Sequence, residues 1–174
     1  MPPAGKLAPC GICKAPWGHM AEDTNAALPP DIHVRDAEMT DAAGLARLAA
    51  QLGYPTEPKE ITERLSSAKG PCQERVIVAV DGTNEVLGWT TVRIAVHIHS
   101  AAHAEISGFV VDQSTRGRGI GRLMMTEVER WSRENGLPAV RLNANITRTG
   151  AHRFYESLGF RIIKQQYAFR KDLQ

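Results

Sequence analysis

Val111-Asp112-Gln113-Ser114-Thr115-Arg116-Gly117-Arg118-Gly119-Ile120-Gly121-Arg122 is the stretch on which the fold turns. An apolar run over residues 106–111 stops at Asp112. A short polar turn follows, and glycines at positions 117, 119 and 121 lead directly into an amphipathic pattern. Glycines at such a strand-to-helix junction let the backbone approach a ligand closely, because no Cβ stands in the way. The N–H groups of the first helical turn have no intrahelical partner, and the helix dipole favours an anion in front of them. Arg116, Arg118 and Arg122 bring positive charge to the same place. The stretch reads as a pyrophosphate cradle.

Two common cradles fail on particular positions. The triphosphate loop Gly-x-x-x-x-Gly-Lys-Ser/Thr needs a lysine and a hydroxyl after its glycines, and neither follows here. The dinucleotide fingerprint needs a third glycine where Arg122 stands, and belongs early in a βαβ unit rather than two-thirds along a chain. A phosphate-binding nucleotide enzyme is therefore the weakest of the readings.

The surviving pattern, Arg116-x-x-Gly119-x-Gly121 after Phe109-Val110-Val111-Asp112, resembles the acetyl-coenzyme A loop of the GNAT superfamily of N-acetyltransferases. A second block agrees. Residues 143–160 read Asn-Ala-Asn-Ile-Thr-Arg-Thr-Gly-Ala-His-Arg-Phe-Tyr-Glu-Ser-Leu-Gly-Phe, and an asparagine ending a strand before Ala-x-x-Phe-Tyr-Glu-x-Leu-Gly-Phe is similar to that superfamily's other coenzyme A segment. The resemblance runs from about Asp31 to the C-terminus. It also leans toward small bacterial members of the aminoglycoside acetyltransferase kind.

Length and composition agree with one such domain. The chain has 174 residues, 43% hydrophobic and 23% charged, which suits a soluble globular protein with a sizeable core. A net charge of +2 with scattered basic residues gives no nucleic-acid footprint. No apolar run is long enough to cross a bilayer. Lys6 is not followed by an apolar segment of the secretory kind, so a cytoplasmic location is expected. Three cysteines cannot all pair. Cys10 and Cys13 have zinc-ligand spacing with His19 nearby, but the ligand set is incomplete and no metal is expected. Cys72 reads as a structural thiol.

Residues 1–30 carry six prolines and no sustained periodicity, and read as a flexible Pro-rich arm, with Met20 an alternative start. Residues 31–174 read as a single N-acetyltransferase domain. A short strand is expected over residues 32–35. A helix capped at Thr40 or Asp41 should present Leu45, Leu48, Ala49 and Leu52 on one face, and a second helix should cover residues 59–68. Strands follow at 75–80, 86–98 and 104–111, with a turn at 81–84 and another at 100–102. A helix from Ile120 to Asn135, a strand over 139–143, a helix burying Ala151, Phe154, Tyr155 and Leu158, and one or two strands over 161–170 complete the order. This is an α/β domain of GNAT type: a mixed, mostly antiparallel sheet, helices on both faces, and a splayed strand pair at the acetyl-CoA site.

The resemblance implies acetyl-CoA as co-substrate, with no metal, and direct attack by a primary amine in a ternary complex. Phe109, Val110 and Val111 match the strand whose backbone N–H polarises the thioester carbonyl, and which of the three donates stays open. Arg116, Gly117, Arg118, Gly119, Ile120, Gly121 and Arg122 would hold the pyrophosphate. Asn145, or Asn143 before it, would bond the pantetheine arm, with Phe154 alongside; Asx-turn chemistry is the structural alternative for the asparagine.

Glu105, the acidic residue inside that strand, is the candidate base. Simple alternation puts it on one face with Ser107, Phe109 and Val111. Its alternative role is to bind a substrate ammonium ion. Tyr155 is the candidate acid for the leaving thiolate, and its alternative is plain packing on the helix's apolar face. Thr147 or Thr149 should cap that helix. His97, His99 and His103 read as a polar hairpin rather than a metal site. Tyr54 and Glu57, in the break between the first two helices, are the candidate acceptor contacts. The expected partner is a small-molecule amine or peptide, with no nucleic acid and no membrane; a homodimer stays open. A function of a different class is a catalytically silent acyl-CoA-binding or sensing module, which would dispense with Glu105 and Tyr155.

Overall fold

The structure, a computed structural model, describes residues 31–67 and 74–173. The N-terminal arm with Cys10, Cys13, His19 and Met20, and the segment holding Cys72, lie outside the described residues. The chain divides into two compact units, one ending at Leu142 and the other beginning at Asn143.

In the first unit, strands β1 (His33–Asp36), β2 (Arg75–Val80), β3 (Val86–His97), β4 (Ser100–Val111) and β5 (Val140–Leu142) form one sheet in sequence order. The first four pair antiparallel and β5 joins β4 in parallel. Helices α1 (Ala42–Leu52), α2 (Pro58–Ser67) and α3 (Ile120–Glu134) flank it. The expected mixed, mostly antiparallel sheet is what forms.

Alternation along the strands sorts side chains into two layers. Val78, Val80, Val86 and Val110 pack with Leu45 and Leu48 of α1 and Leu65 of α2. Ala79 and Leu87 pack with Ile120 and Met124 of α3, joined by Val34, Phe109 and Val111. Helices therefore cover both faces. α1 ends as expected, where Gly53 takes a left-handed φ of 99° and its N–H returns to Ala49 and Ala50. At its other end it lies so close to β3 that a Cβ on Gly44 would stand 2.7 Å from Val86 Cβ.

The β3–β4 hairpin differs from expectation. β4 starts at Ser100 instead of 104, and the turn is Ile98-His99 with His97 paired to Ser100. A two-residue turn lets the ladder run to its end, so residues 100–102 belong to the strand. The hairpin gathers its histidines: the His97 ring lies 5.5 Å from that of His99 and 5.6 Å from that of buried His103.

The second unit contains helix α4 (Thr149–Ser157), whose Ala151, Phe154, Tyr155 and Leu158 are half-buried rather than buried. The strand expected over residues 161–170 is not formed: residues 160–173 have no regular structure, and Ile163, Tyr167 and Phe169 are exposed. A strand exists only where a ladder partner takes its backbone groups, and among the described residues the sheet ends at β5.

Candidate active site

The glycine loop grows out of β4 through a turn organised by Asp112. Its Oδ1 accepts from Ser114 N at 2.9 Å and Ser114 Oγ at 2.7 Å. Its carbonyl accepts from Thr115 N at 3.0 Å. These bonds from Ser114, with Arg47 adding a further one, hold the Asp112 carboxyl down at about 2. Gly117 and Gly119 both take φ of 80°, the left-handed region that a Cβ disfavours. A Cβ on Gly117 would meet no atom within 4 Å, so the loop faces open space. Gly119 is the N-cap of α3, and Leu123 N is the first amide to return to it, at 3.0 Å. The N–H groups of Ile120, Gly121 and Arg122 thus lie in the turn that has no intrahelical acceptor. Arg116, Arg118 and Arg122 are exposed, and none forms an ion pair among the described residues. Amides, dipole and exposed cations fit a diphosphate.

β5 pairs with β4 only over Ala104–Ile106, so β4 runs on past it toward the loop. A bulge resets the strand on the way: Ile106 pairs with Val92 but Gly108 with Thr91, leaving Ser107 as the extra residue. Before the bulge, Ala104 N turns to the β5 side, donating to Ala139 O at 2.9 Å. After it the parity is reversed, for Asp112 N donates to Leu87 O of β3 at 2.8 Å. By alternation the backbone groups of Phe109 and Val111 are directed to the β5 side, and those of Val110 to β3. Val110 is also buried among the α1 and α2 side chains. The Val111 carbonyl accepts from Arg116 Nε at 3.3 Å, in keeping with that direction.

The same bulge corrects the expectation that Glu105 shares a face with Phe109 and Val111. Glu105 pairs with Arg93 across the ladder and lies on the α1/α2 side, whereas Phe109 and Val111 side chains pack on the α3 side. Glu105 Oε2 accepts from Arg93 Nε at 2.9 Å and Nη2 at 2.6 Å, which raises the Arg93 pKa. Arg93, twelve residues away, had no signal in the sequence marking it as the partner. On the same face Ser107 bonds Thr91 at 2.7 Å and also meets Glu74.

Tyr54 and Glu57 sit in the five-residue link between α1 and α2, both exposed. Tyr54 N closes α1 on Ala49 O at 2.9 Å and its carbonyl accepts from Thr56 Oγ1, so the ring projects from a fixed turn.

In the second unit, Asn145 Oδ1 accepts from Thr147 N at 3.0 Å and Thr147 Oγ1 at 2.9 Å, an Asx turn. Its carbonyl accepts from Arg148 N and bonds the His152 ring. Arg148, not a threonine, occupies the cap position of α4, and Thr149 is its first residue. Tyr155 lies 5.3 Å from Phe154 and 5.8 Å from Phe160 by ring centroids. Burial raises its pKa, offset in part by Arg148, so the phenol keeps its proton at neutral pH.

Among the described residues no group of three or more His, Cys, Asp or Glu is arranged to hold a metal, and no helix is long and apolar enough to cross a membrane.

Comparison with known proteins agrees with this geometry. The model of the Acetyltransferase (GNAT) family matches residues 41–160, and the chain belongs to that family. It is 24% identical over 145 residues to the aminoglycoside N(6')-acetyltransferase type 1 of Stenotrophomonas maltophilia, a match covering 81% of this chain and 94% of that protein. It is 36% identical over 77 residues to the uncharacterized N-acetyltransferase YhdJ of Bacillus subtilis, spanning 44% of this chain and only 53% of that relative. Among solved structures, AAC(6')-Iy in complex with the bisubstrate analogue CoA-S-monomethyl-acetylneamine superposes with a TM-score of 0.70 at 17% identity, covering 82% of this chain and 99% of the other. The chain is an N-acetyltransferase of the GNAT kind.

Proposed function

We propose that this protein transfers the acetyl group of acetyl-CoA to a primary amine of a small molecule by direct attack in a ternary complex. The observation that carries the reading is the exposed end of α3, where left-handed Gly117 and Gly119 lead into the first-turn amides and Arg116, Arg118 and Arg122 are exposed with no ion pair among the described residues. The similarity to aminoglycoside acetyltransferases supports a small polar amine as acceptor.

Acetyl-CoA, when bound, supplies a thioester whose carbonyl is open to an amine. Gly117 to Arg122 would hold its diphosphate, and the backbone of Phe109 and Val111, directed away from β3, would lie along its arm and polarise the carbonyl. Asn145 would contribute its Nδ2, since Oδ1 is already taken within the turn. Phe154 would pack beside the arm, and Tyr155 would hold a proton for the leaving sulfur.

Glu105 would take the proton from the attacking nitrogen, directly or through water. Its pairing with Arg93 means an incoming ammonium competes with a guanidinium for the same carboxylate. Tyr54 and Glu57 would receive the rest of the acceptor, the carboxylate of Glu57 suiting a second cationic group. Glu105→Gln tests the base role: kcat/KM should fall by about 10²-fold or more and lose its acidic limb, and an unchanged pH–rate profile would remove Glu105 from proton transfer.

A further inference from the structure

We infer that Arg47 and Gln51, one helical turn apart on α1, are positioning residues that hold the coenzyme A loop in its binding shape. The inference rests on the reading that Gly117 to Arg122 hold the coenzyme A diphosphate. It goes beyond that reading by naming what keeps the loop formed from outside it.

Asp112 divides its two carboxylate oxygens between two elements. Oδ1 serves the loop, accepting from Ser114 N and Oγ, while Oδ2 receives Nη1 of Arg47. The other end of the Arg47 fork is itself tied to β3: Nη2 donates to Val86 O at 2.8 Å and reaches Glu85 at 3.4 Å. Four residues on, Gln51 Oε1 accepts from Gln113 N at 3.0 Å. Residues 47 and 51 share a helix face at i, i+4, so α1 grips two consecutive residues of the turn. Asp112 is buried and Arg47 about two-fifths exposed, so the cation sits at the edge of the contact and its fork spans a carboxylate and a carbonyl at once. An ammonium is a point donor and cannot make that span with one planar group.

The turn feeds directly into Gly117 and Gly119, both left-handed, and a Cβ on Gly117 would meet no atom within 4 Å, so no neighbour on that side holds the loop in shape. A loop of glycines is a binding site only while its ends are fixed. An unclamped loop populates other shapes, and ligand affinity falls by the fraction that remains competent. Gly44 places the clamp: its missing Cβ lets α1 approach Val86 closely, one turn before Arg47.

The test is calorimetric titration of coenzyme A into the full-length wild type and into Arg47→Met, Arg47→Lys and Gln51→Ala, with steady-state kinetics beside it. Arg47→Met should raise the Kd for coenzyme A by about 5- to 30-fold, the equivalent of ~1–2 kcal/mol at ~1.4 kcal/mol per factor of ten. Arg47→Lys should recover part of that loss, and Gln51→Ala should show about 2- to 5-fold. kcat at saturating acetyl-CoA should stay within about twofold, so the effect appears in KM for the donor. A folded Arg47→Met protein with wild-type coenzyme A affinity would overturn the inference, as would a collapse of kcat at unchanged affinity. Should Arg47→Met fail to fold, Gln51→Ala decides alone, because it leaves the ion pair in place: unchanged affinity there overturns the clamp. A wild-type chain that does not bind coenzyme A fails differently, since it overturns the cofactor reading before any variant is compared.

Discussion

Replacing Gly44 with alanine sets two effects of opposite sign against each other. Alanine in a helix interior is favoured over glycine by about 1 kcal/mol, so propensity alone predicts a more stable protein. The structure predicts the reverse. The new Cβ would lie 2.7 Å from Val86 Cβ and 2.9 Å from its Cγ2. That is roughly 0.8 Å short of the ~3.5 Å at which carbon contacts become favourable. Val86 Cβ cannot rotate away, because it is fixed to a strand paired with Val80. α1 must therefore move, disturbing Leu45 and Leu48 in the core below it. Overpacking of this kind costs about 1–3 kcal/mol, which outweighs or cancels the propensity gain and leaves a net loss of up to ~2 kcal/mol. For a domain of this size that is a fall in Tm of up to roughly 8 °C. Gly150→Ala is the matched control, since Gly150 is also helical and a Cβ there meets nothing within 4 Å. Thermal melts of the two variants should move in opposite directions or leave only Gly44→Ala lowered. A Gly44→Ala protein that melts several degrees higher than wild type would refute the packing argument.

Other outcomes follow from the same contacts. Leu48 is wholly buried between α1 and the sheet, so Leu48→Ala should lose about 3–5 kcal/mol in denaturant titrations. Asp112, held at about 2 by its bonds from Ser114 and Arg47, stabilises the fold above the ordinary carboxylate pKa, and that contribution is lost as pH falls from about 4 toward 2. Asp112→Asn should therefore flatten the acid limb of a stability–pH curve measured over that window, and an identical limb would count against the assignment. Tyr155→Phe should lower kcat by about 10-fold or more, with KM for the donor little changed; full activity would leave Tyr155 a packing residue.

What could be read from the letters was whatever is local. β2 emerged residue for residue because a continuous β-branched run is bounded by polar residues, and the glycine loop because left-handed positions and exposed arginines announce themselves in order. What depends on two distant segments did not show. The bulge at Ser107 is a mismatch of register between β3 and β4, visible only when the strands are laid side by side, and it moved Glu105 to the face opposite Phe109 and Val111. Arg93 meets Glu105 across that ladder, and Arg47 meets Asp112 across 65 residues of sequence. Neither pairing has a spacing rule. The strand over residues 161–170 is expected from the order of elements, and that order does not say that a ladder partner is present.

The most direct measurement is thiol release from acetyl-CoA by the full-length chain against a panel of small polyamines and aminoglycosides, with the amine product weighed by mass spectrometry. Thiol release that requires the amine, matched one for one by acetylated product and abolished when Arg116, Arg118 and Arg122 are replaced together, is the expected result. Stoichiometric coenzyme A binding with no acetylated product on any amine would contradict transfer and leave a silent acyl-CoA-binding module.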